Sequence, residues 1–233
     1  MKSRVAVLNR LLAALSLAES ARLTPFLKTI SLEQGVVLNE PGDEMDSIIF
    51  PHSGMVSLLA IMKDGSAVET ATIGREGVVG AMAGLGLHTT LTRAVVQTPL
   101  VASQIAAAQF RKAVELSSEL RDVIVRYNDA LLGQVQITAA CNALHPIQAR
   151  LARWILQTKD RVDGEIIPLT QQLLSEMLGV RRSSVSEVAT QLQAAGFIHY
   201  TRGSIEITNR EGLEKAACEC YQTIRAQVEK VLR

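Results

Sequence analysis

Residues 169–207, LTQQLLSEMLGVRRSSVSEVATQLQAAGFIHYTRGSIEI, constrain this chain more than any other stretch. Thr170 stands where a hydroxyl can accept a hydrogen bond from a free N–H of a first helical turn. Leu173, Leu174, Met177 and Leu178 follow at helical spacing, and Gly179 stands where a left-handed residue ends a helix. The spacing predicts a second helix over 181–194. Val185, Val188, Ala189 and Leu192 face inward, while Arg182, Ser183, Ser186, Glu187 and Gln191 face outward. Arg181 and Ser184 sit at its start. Gly196 stops it. Phe197, Ile198 and Tyr200 then read as a strand, Arg202-Gly203 as a tight turn, and Ile205 and Ile207 as the returning strand.

Helix, glycine turn, helix and hairpin together outline a winged helix-turn-helix. A helix of this width fits the major groove of DNA, and its outward guanidinium, hydroxyls, carboxylate and amide can hydrogen-bond base edges and phosphates. Thr201 and Arg202 of the hairpin would face backbone phosphates. The plainer alternative is a small helical hairpin with a solvated polar face.

A chain of 233 residues forms one or two domains and can bury a sizeable core. Hydrophobic residues make up 48% and aromatics only 3%, so Leu, Val, Ile and Ala must fill that core. No apolar run approaches the ~20 residues of a membrane span, so no membrane partner is expected. Residues 1–12 hold Lys2, Arg4 and Arg10 without a long apolar core, so no secretory signal is expected, and the location expected is cytoplasmic. The net charge of +1 carries no message about nucleic acid, but its distribution does. Residues 1–110 sum to −1 and residues 146–210 to +2, the small excess falling where the DNA reading needs it. Three cysteines, Cys141, Cys218 and Cys220, make no disulfide framework.

Read in order, residues 5–27 have a helical pattern. Ser16 and Glu19 stand at capping-box spacing, and Pro25 lies near the end, so two short covering helices are expected. From 30 to 105 short apolar runs alternate with turn signals at 40–43, 51–54, 63–65 and 74–77, which predicts an antiparallel sandwich or barrel. Residues 80–87, GAMAGLGL, read as a short helix or loop across the barrel mouth. From 110 to 144 the period is helical again. Leu120, Ile124, Tyr127, Leu131, Gln134, Thr138 and Cys141 step by fours and threes, a heptad-like seam that suits a parallel pair of helices at a dimer axis. The alternative is a helix packed on its own chain. His145-Pro146 breaks the pattern and forms a hinge. A helix over 147–157 buries Leu151, Trp154 and Ile155, with Arg150 and Arg153 expected in solvent or near DNA phosphates. Thr208 and Glu211 again show capping-box spacing, before a terminal helix over 213–232.

This order of parts resembles the Crp/Fnr family of bacterial transcription regulators. The motifs that carry the likeness are Pro41-Gly42-Asp43, Asp64-Gly65, Gly77-x-x-Gly80, Thr92-Arg93-Ala94 and Arg150-Leu151-Ala152-Arg153. Each is weak alone, but they keep the family's order and spacing from about residue 9 to 209. The resemblance implies an α+β chain with three parts: an effector-sensing antiparallel β-barrel of jelly-roll, cyclic-nucleotide-binding type with cover helices over 1–112, a dimerisation helix over 113–145, and a winged helix-turn-helix with a terminal helix over 146–233. It implies a homodimer on a two-fold-related double-stranded DNA site, and admits RNA polymerase as a further partner.

Two positions depart from the family pattern. Cyclic-nucleotide-binding members follow the glycine matching Gly80 with a glutamate that holds the ribose hydroxyl. This chain has Ala81, which offers no acceptor, so an effector other than cyclic AMP is expected. Arg93 matches the phosphate-binding arginine and could hold another anion or brace the barrel. Gly80, Ala81, Thr92, Arg93, Gln134 and Thr138 are therefore the candidate effector residues. In the recognition helix, members with well-known sites place arginine where Glu187 stands and glutamate where Ser183 stands, whereas Arg182 matches the cyclic-AMP-responsive members. A different DNA sequence should be read. The expected contact set is Thr170, Arg181, Arg182, Ser183, Ser184, Ser186, Glu187, Gln191 and Arg202.

No resident cofactor or metal is expected. Iron–sulfur members carry several cysteines near the N-terminus, and this segment has none. Cys141 and His145 at i, i+4 share a helix face. Cys218 and Cys220, taken as part of one helix, would point about 200° apart, so core thiols and a helix-end histidine are the expectation. Haem ligation by His52 or His88 has no supporting context. Two other functions compete with a non-enzymatic regulator. A cupin-type barrel enzyme would need clustered histidines, but those at 52, 88, 145 and 199 are scattered. A signal-binding module whose winged domain docks protein would lack salt-dependent affinity for duplex DNA.

Overall fold

A computed structural model describes residues 9–87, 89–201 and 203–232. Residues 1–8, with Lys2, Arg4 and the start of the first predicted helix, lie outside the described residues, as do His88 and Arg202. Asn9 caps α1 (Arg10–Ala13), and its Nδ2 donates to the carbonyls of Pro51 and Gly77, both at 2.8 Å. Ser16 caps α2 (Leu17–Leu23) by accepting from Glu19 N at 3.4 Å. The reciprocal half of the box is absent, because the Ser16 N–H goes to Glu119 Oε1 at 2.6 Å.

The β-rich half is a curled five-stranded antiparallel sheet. It comprises β1 (Lys28–Leu32), β2 (Val37–Asn39), β3 (Ser47–Ile61), β4 (Ala67–Ile73) and β5 (Arg93–Ala106). Their order is β1-β5-β3-β4, with β2 also on β5. The turn expected at 51–54 is instead a bulged region inside β3, where the register against β5 slips between Pro51 and Ser53 and again before Met55. Proline, serine and glycine serve a bulge as readily as a turn. Gly54 has φ +87°, and a Cβ there would stand 2.2 Å from the Pro99 carbonyl oxygen. Residues 81–85 form the expected short element, a 3-10 helix between Gly80 and Gly86, both with positive φ.

Two helices follow, α3 (Ala107–Leu116) and α4 (Ser118–Leu144), where one was expected. Ser117 is extended at φ −133°, ψ 111°, and its hydroxyl accepts from Leu120 N at 3.0 Å. The heptad-like seam of α4 faces its own chain. Leu120, Ile124 and Tyr127 join the core of Phe50 and Phe110, and Gln134 Nε2 donates to Thr72 Oγ1 and O at 3.0 and 3.3 Å. A buried stripe on the same molecule has the same three–four spacing as a dimer seam. What α4 leaves exposed is another stripe, with Val125 51% and Leu132 55% accessible and Ala139 beyond.

After His145-Pro146 come α5 (Ile147–Lys159), β6 (Ile166–Pro168), α6 (Gln171–Leu178), α7 (Arg182–Ala194), β7 (Ile198–Thr201), β8 (Ser204–Ile207), α8 (Arg210–Ala216) and α9 (Cys220–Val231). The single terminal helix expected is thus two, interrupted at 217–219. Asn209, not Thr208, caps α8, accepting from Gly212 N at 2.9 Å.

The two halves share one core. Met55 and Leu59 of β3 cluster with Leu151, Trp154, Leu174 and Leu178. At this join Trp154 Nε1 donates to Glu69 Oε1 at 2.8 Å, and Ser57 Oγ donates to Glu69 Oε2 at 2.5 Å. Arg161 pairs with Glu76 at 2.6 Å, both buried. Arg150 and Arg153 correct the expectation of solvated arginines, being 6% and 3% exposed. Arg150 Nη2 donates to the Leu178 carbonyl, and Arg153 Nη1 to Gln157 Oε1 at 2.7 Å. Apart from its first turn, α5 is covered almost all round, so its polar side has no water to reach.

Candidate nucleic-acid interface and effector cavity

Local chemistry sets the geometry of the helix pair. Thr170 Oγ1 accepts from Leu173 N at 3.2 Å to start α6, and Gly179 at φ 62°, ψ 39° ends it. The Val180 N–H returns to Ser175 O at 3.0 Å, and three residues later α7 is under way. Val185, Val188, Ala189 and Leu192 are buried, so the opposite face of α7 is held outward. Arg181, Arg182, Ser183, Glu187 and Gln191 are exposed, as is Thr170. Ser184 and Ser186 are half-buried, and Ser186 Oγ donates to Arg182 O at 3.0 Å. Arg182 Nε reaches Gln171 Oε1 of α6 at 3.4 Å, which leaves most of the guanidinium free to turn outward.

Two exposed residues outside the expected contact set share this face: Gln193, whose Oε1 accepts from Tyr200 N at 2.7 Å, and Thr190. At about 100° per residue Thr190 lies between Ser186 and Ser183 in projection, so the helical period alone would have found it. The wing is β7 and β8, paired from Ile198–Ile207 to Thr201–Ser204, with β6 on the far side of β8. Thr201 is exposed at its tip, while Arg202 lies outside the described residues.

The effector candidates divide. A cavity of about 330 Å³ opens in the β-rich half, lined among others by Leu58, Ile73, Gly80, Ala81, Thr92 and Leu131. Gly80, Ala81 and Thr92 therefore line one space. Arg93 does not: its Nε donates to both Glu40 oxygens at 3.0 Å. Gln134 is also outside the cavity, committed to Thr72, and Thr138 is buried further along α4 without lining it.

Of the histidines, His52 is buried against Ser103 Oγ at 2.8 Å, and burial lowers its pKa. His145 differs. Cys141, His145, Cys218 and Cys220 bring their ligand atoms within 4.8 Å of one another. Cys218 and Cys220 do not diverge as residues of one helix would, because Cys218 precedes α9, in the break after α8.

Comparison with known proteins supports both halves. Residues 29–117 match the family model described as cyclic nucleotide-binding domain, and residues 149–216 the Crp-like helix-turn-helix domain. Among solved structures the chain is similar to FixK2 from Bradyrhizobium japonicum, at TM-score 0.68 and 14% identity, covering 82% of this chain and 98% of that one. It is similar to CLP, a c-di-GMP responsive global regulator of Xanthomonas campestris, at TM-score 0.64 and 17% identity, covering 82% and 99%. A Crp/Fnr family transcriptional regulator from Thermus thermophilus gives TM-score 0.65 and 21% identity, covering 82% and 98%. No curated protein sequence matches the chain.

Proposed function

The chain has the Crp/Fnr-type transcription regulator fold, a cyclic nucleotide-binding domain joined to a helix-turn-helix DNA-binding domain, and from that premise we propose that it acts as a homodimer on a two-fold-related operator under the control of a small, largely apolar effector. The observation that carries the DNA reading is the polar face of α7, exposed beside its wing while its apolar face is buried. Helices presented in pairs read half-sites about one helical turn, ~34 Å, apart. Glu187 can accept from a cytosine amino group, and Arg182 can donate to guanine or phosphate.

The dimer reading rests on α4. It is 27 residues long, about 40 Å, and Val125, Leu132 and Ala139 repeat every seven residues along its exposed side. The effector reading rests on the 330 Å³ cavity. Ala81 lines it and offers no side-chain acceptor where a ribose would need one, and the Arg93 guanidinium is already held by Glu40. That combination favours an effector other than cyclic AMP. No helix among the described residues is long and apolar enough to cross a membrane.

Selection of bound fragments from random duplex DNA tests the reading. A palindromic consensus, with log affinity falling linearly against log salt, is the expected result. Recovery of no enriched sequence, or affinity indifferent to salt, would overturn it.

A further inference from the structure

We propose that Cys141, His145, Cys218 and Cys220 form a tetrahedral binding site for a thiophilic divalent cation of the zinc class. Cys141 and His145 come from the last turn of α4 and its C-cap, Cys218 from the α8–α9 junction, and Cys220 from the first residue of α9. Cys141 Sγ lies 3.5 Å from Cys218 Sγ, and Cys220 Sγ lies 3.6 Å from His145 Nδ1. Donors on one tetrahedral zinc, with bonds of about 2.3 Å to sulfur and 2.0 Å to nitrogen, stand about 3.5–3.8 Å apart. The remaining pairs, all within 4.8 Å, need only a small contraction.

Three further features fit an ion better than a set of idle thiols. His145 aims Nδ1 at the sulfurs, while its Nε2 lies 3.2 Å from Glu219 Oε1. A carboxylate on the far nitrogen is the usual means of orienting a ligating histidine. The three thiols are buried in a small cluster of their own with Ile137 and Ala149, so water competes weakly for the ion. Finally, buried Arg150 and Arg153 lie within electrostatic reach of Cys141. Neither has a carboxylate within ion-pair distance among the described residues, and the Nε of each lacks a hydrogen-bond partner. Binding would form three metal–sulfur bonds and one metal–nitrogen bond, and release three thiol protons to solvent, with no electron transferred. The site would then carry a net charge of −1, which those guanidiniums complement. A Cys141–Cys218 disulfide would use neither Cys220 nor His145.

The ion would fasten the end of α4 to α9 at the hinge between the halves. The test is titration of the reduced, chelator-treated full chain with Co(II) and then Zn(II). Expected are one Co(II) per chain, the intense absorption of tetrahedral thiolate coordination, and stoichiometric displacement by Zn(II). Cys218→Ser should abolish that spectrum. Glu219→Gln, whose side chain is 77% exposed, should weaken Zn(II) affinity by about 10–100-fold and serves even if a cysteine variant fails to fold. A weak octahedral Co(II) spectrum, a spectrum unchanged in Cys218→Ser, Zn(II) affinity unchanged in Glu219→Gln, or air oxidation to a disulfide without metal uptake would each overturn the proposal.

Discussion

The indole of Trp154 donates to the carboxylate of Glu69 at 2.8 Å, across the join between the winged half and the curled sheet. Burial pushes the Glu69 pKa up to about 7, against the opposing pull of Ser57, Arg153 and Trp154. The unfolded chain gives up this proton near the ordinary carboxylate value, while the folded chain keeps it to about pH 7. The proton held at Glu69 therefore stabilises fully below the unfolded value, and that contribution is lost as pH rises through the folded one.

Urea midpoints measured from pH 4.5 to 7.5 check this. Wild-type stability should fall with rising pH, by on the order of a few kcal/mol from this group, and level off above its folded pKa. In Glu69→Gln the decline should shrink. Equal slopes in the two proteins would refute the assignment.

Arg161 and Glu76 make a second tie at the join, 2.6 Å apart and both buried. Removing one partner leaves a buried charge, at a cost of ~3–5 kcal/mol. Arg161→Leu should therefore destabilise strongly, and the double change Arg161→Leu/Glu76→Leu should recover a substantial part. Chemical denaturation of the four proteins in a mutant cycle gives the coupling directly.

On α7, Arg182→Ala and Glu187→Ala should alter which bases are preferred at the contacted positions, by ~1–3 kcal/mol of discrimination each. Gel shifts against a panel of single-base operator variants measure it. Unchanged preference in both variants would show that this face does not read sequence.

Leu132→Glu places a charge at the middle of the exposed α4 stripe while leaving the chain's own core untouched. Sedimentation should show wild-type protein at twice the 25.2 kDa chain mass and the variant shifted toward a single chain. Both running as single chains would remove the stripe as a dimer contact.

The winged half could be read from sequence because local chemistry fixes it. Thr170 caps, Gly179 and Gly196 stop, and α7 sorts its own faces by period. The errors came where a local signal has two tertiary uses. Pro51 to Gly54 looks like a turn but builds a bulge. Ser117 interrupts a period that continues on either side of it. The spacing of Leu120, Ile124 and Tyr127 describes a buried face without saying whose molecule buries it. Arg150 and Arg153 read as solvent-facing because nothing local reveals that α5 is covered by both halves. The convergence of Cys218 on Cys141 depends on the break at 217–219, which has no glycine or proline to announce it. The same limit split the effector set, since Arg93 and Gln134 are committed to partners 53 and 62 residues away.

The amide of Gln134, buried on Thr72, has a mechanical meaning. Rolling α4 about its own axis by even one residue, roughly 100°, would part that buried amide from its partner, a cost of ~1–3 kcal/mol. That cost biases the azimuth of the long helix on the sheet beneath it. A partner chain docked along Val125 and Leu132, as proposed, would thus meet a keyed shaft, one that resists twisting.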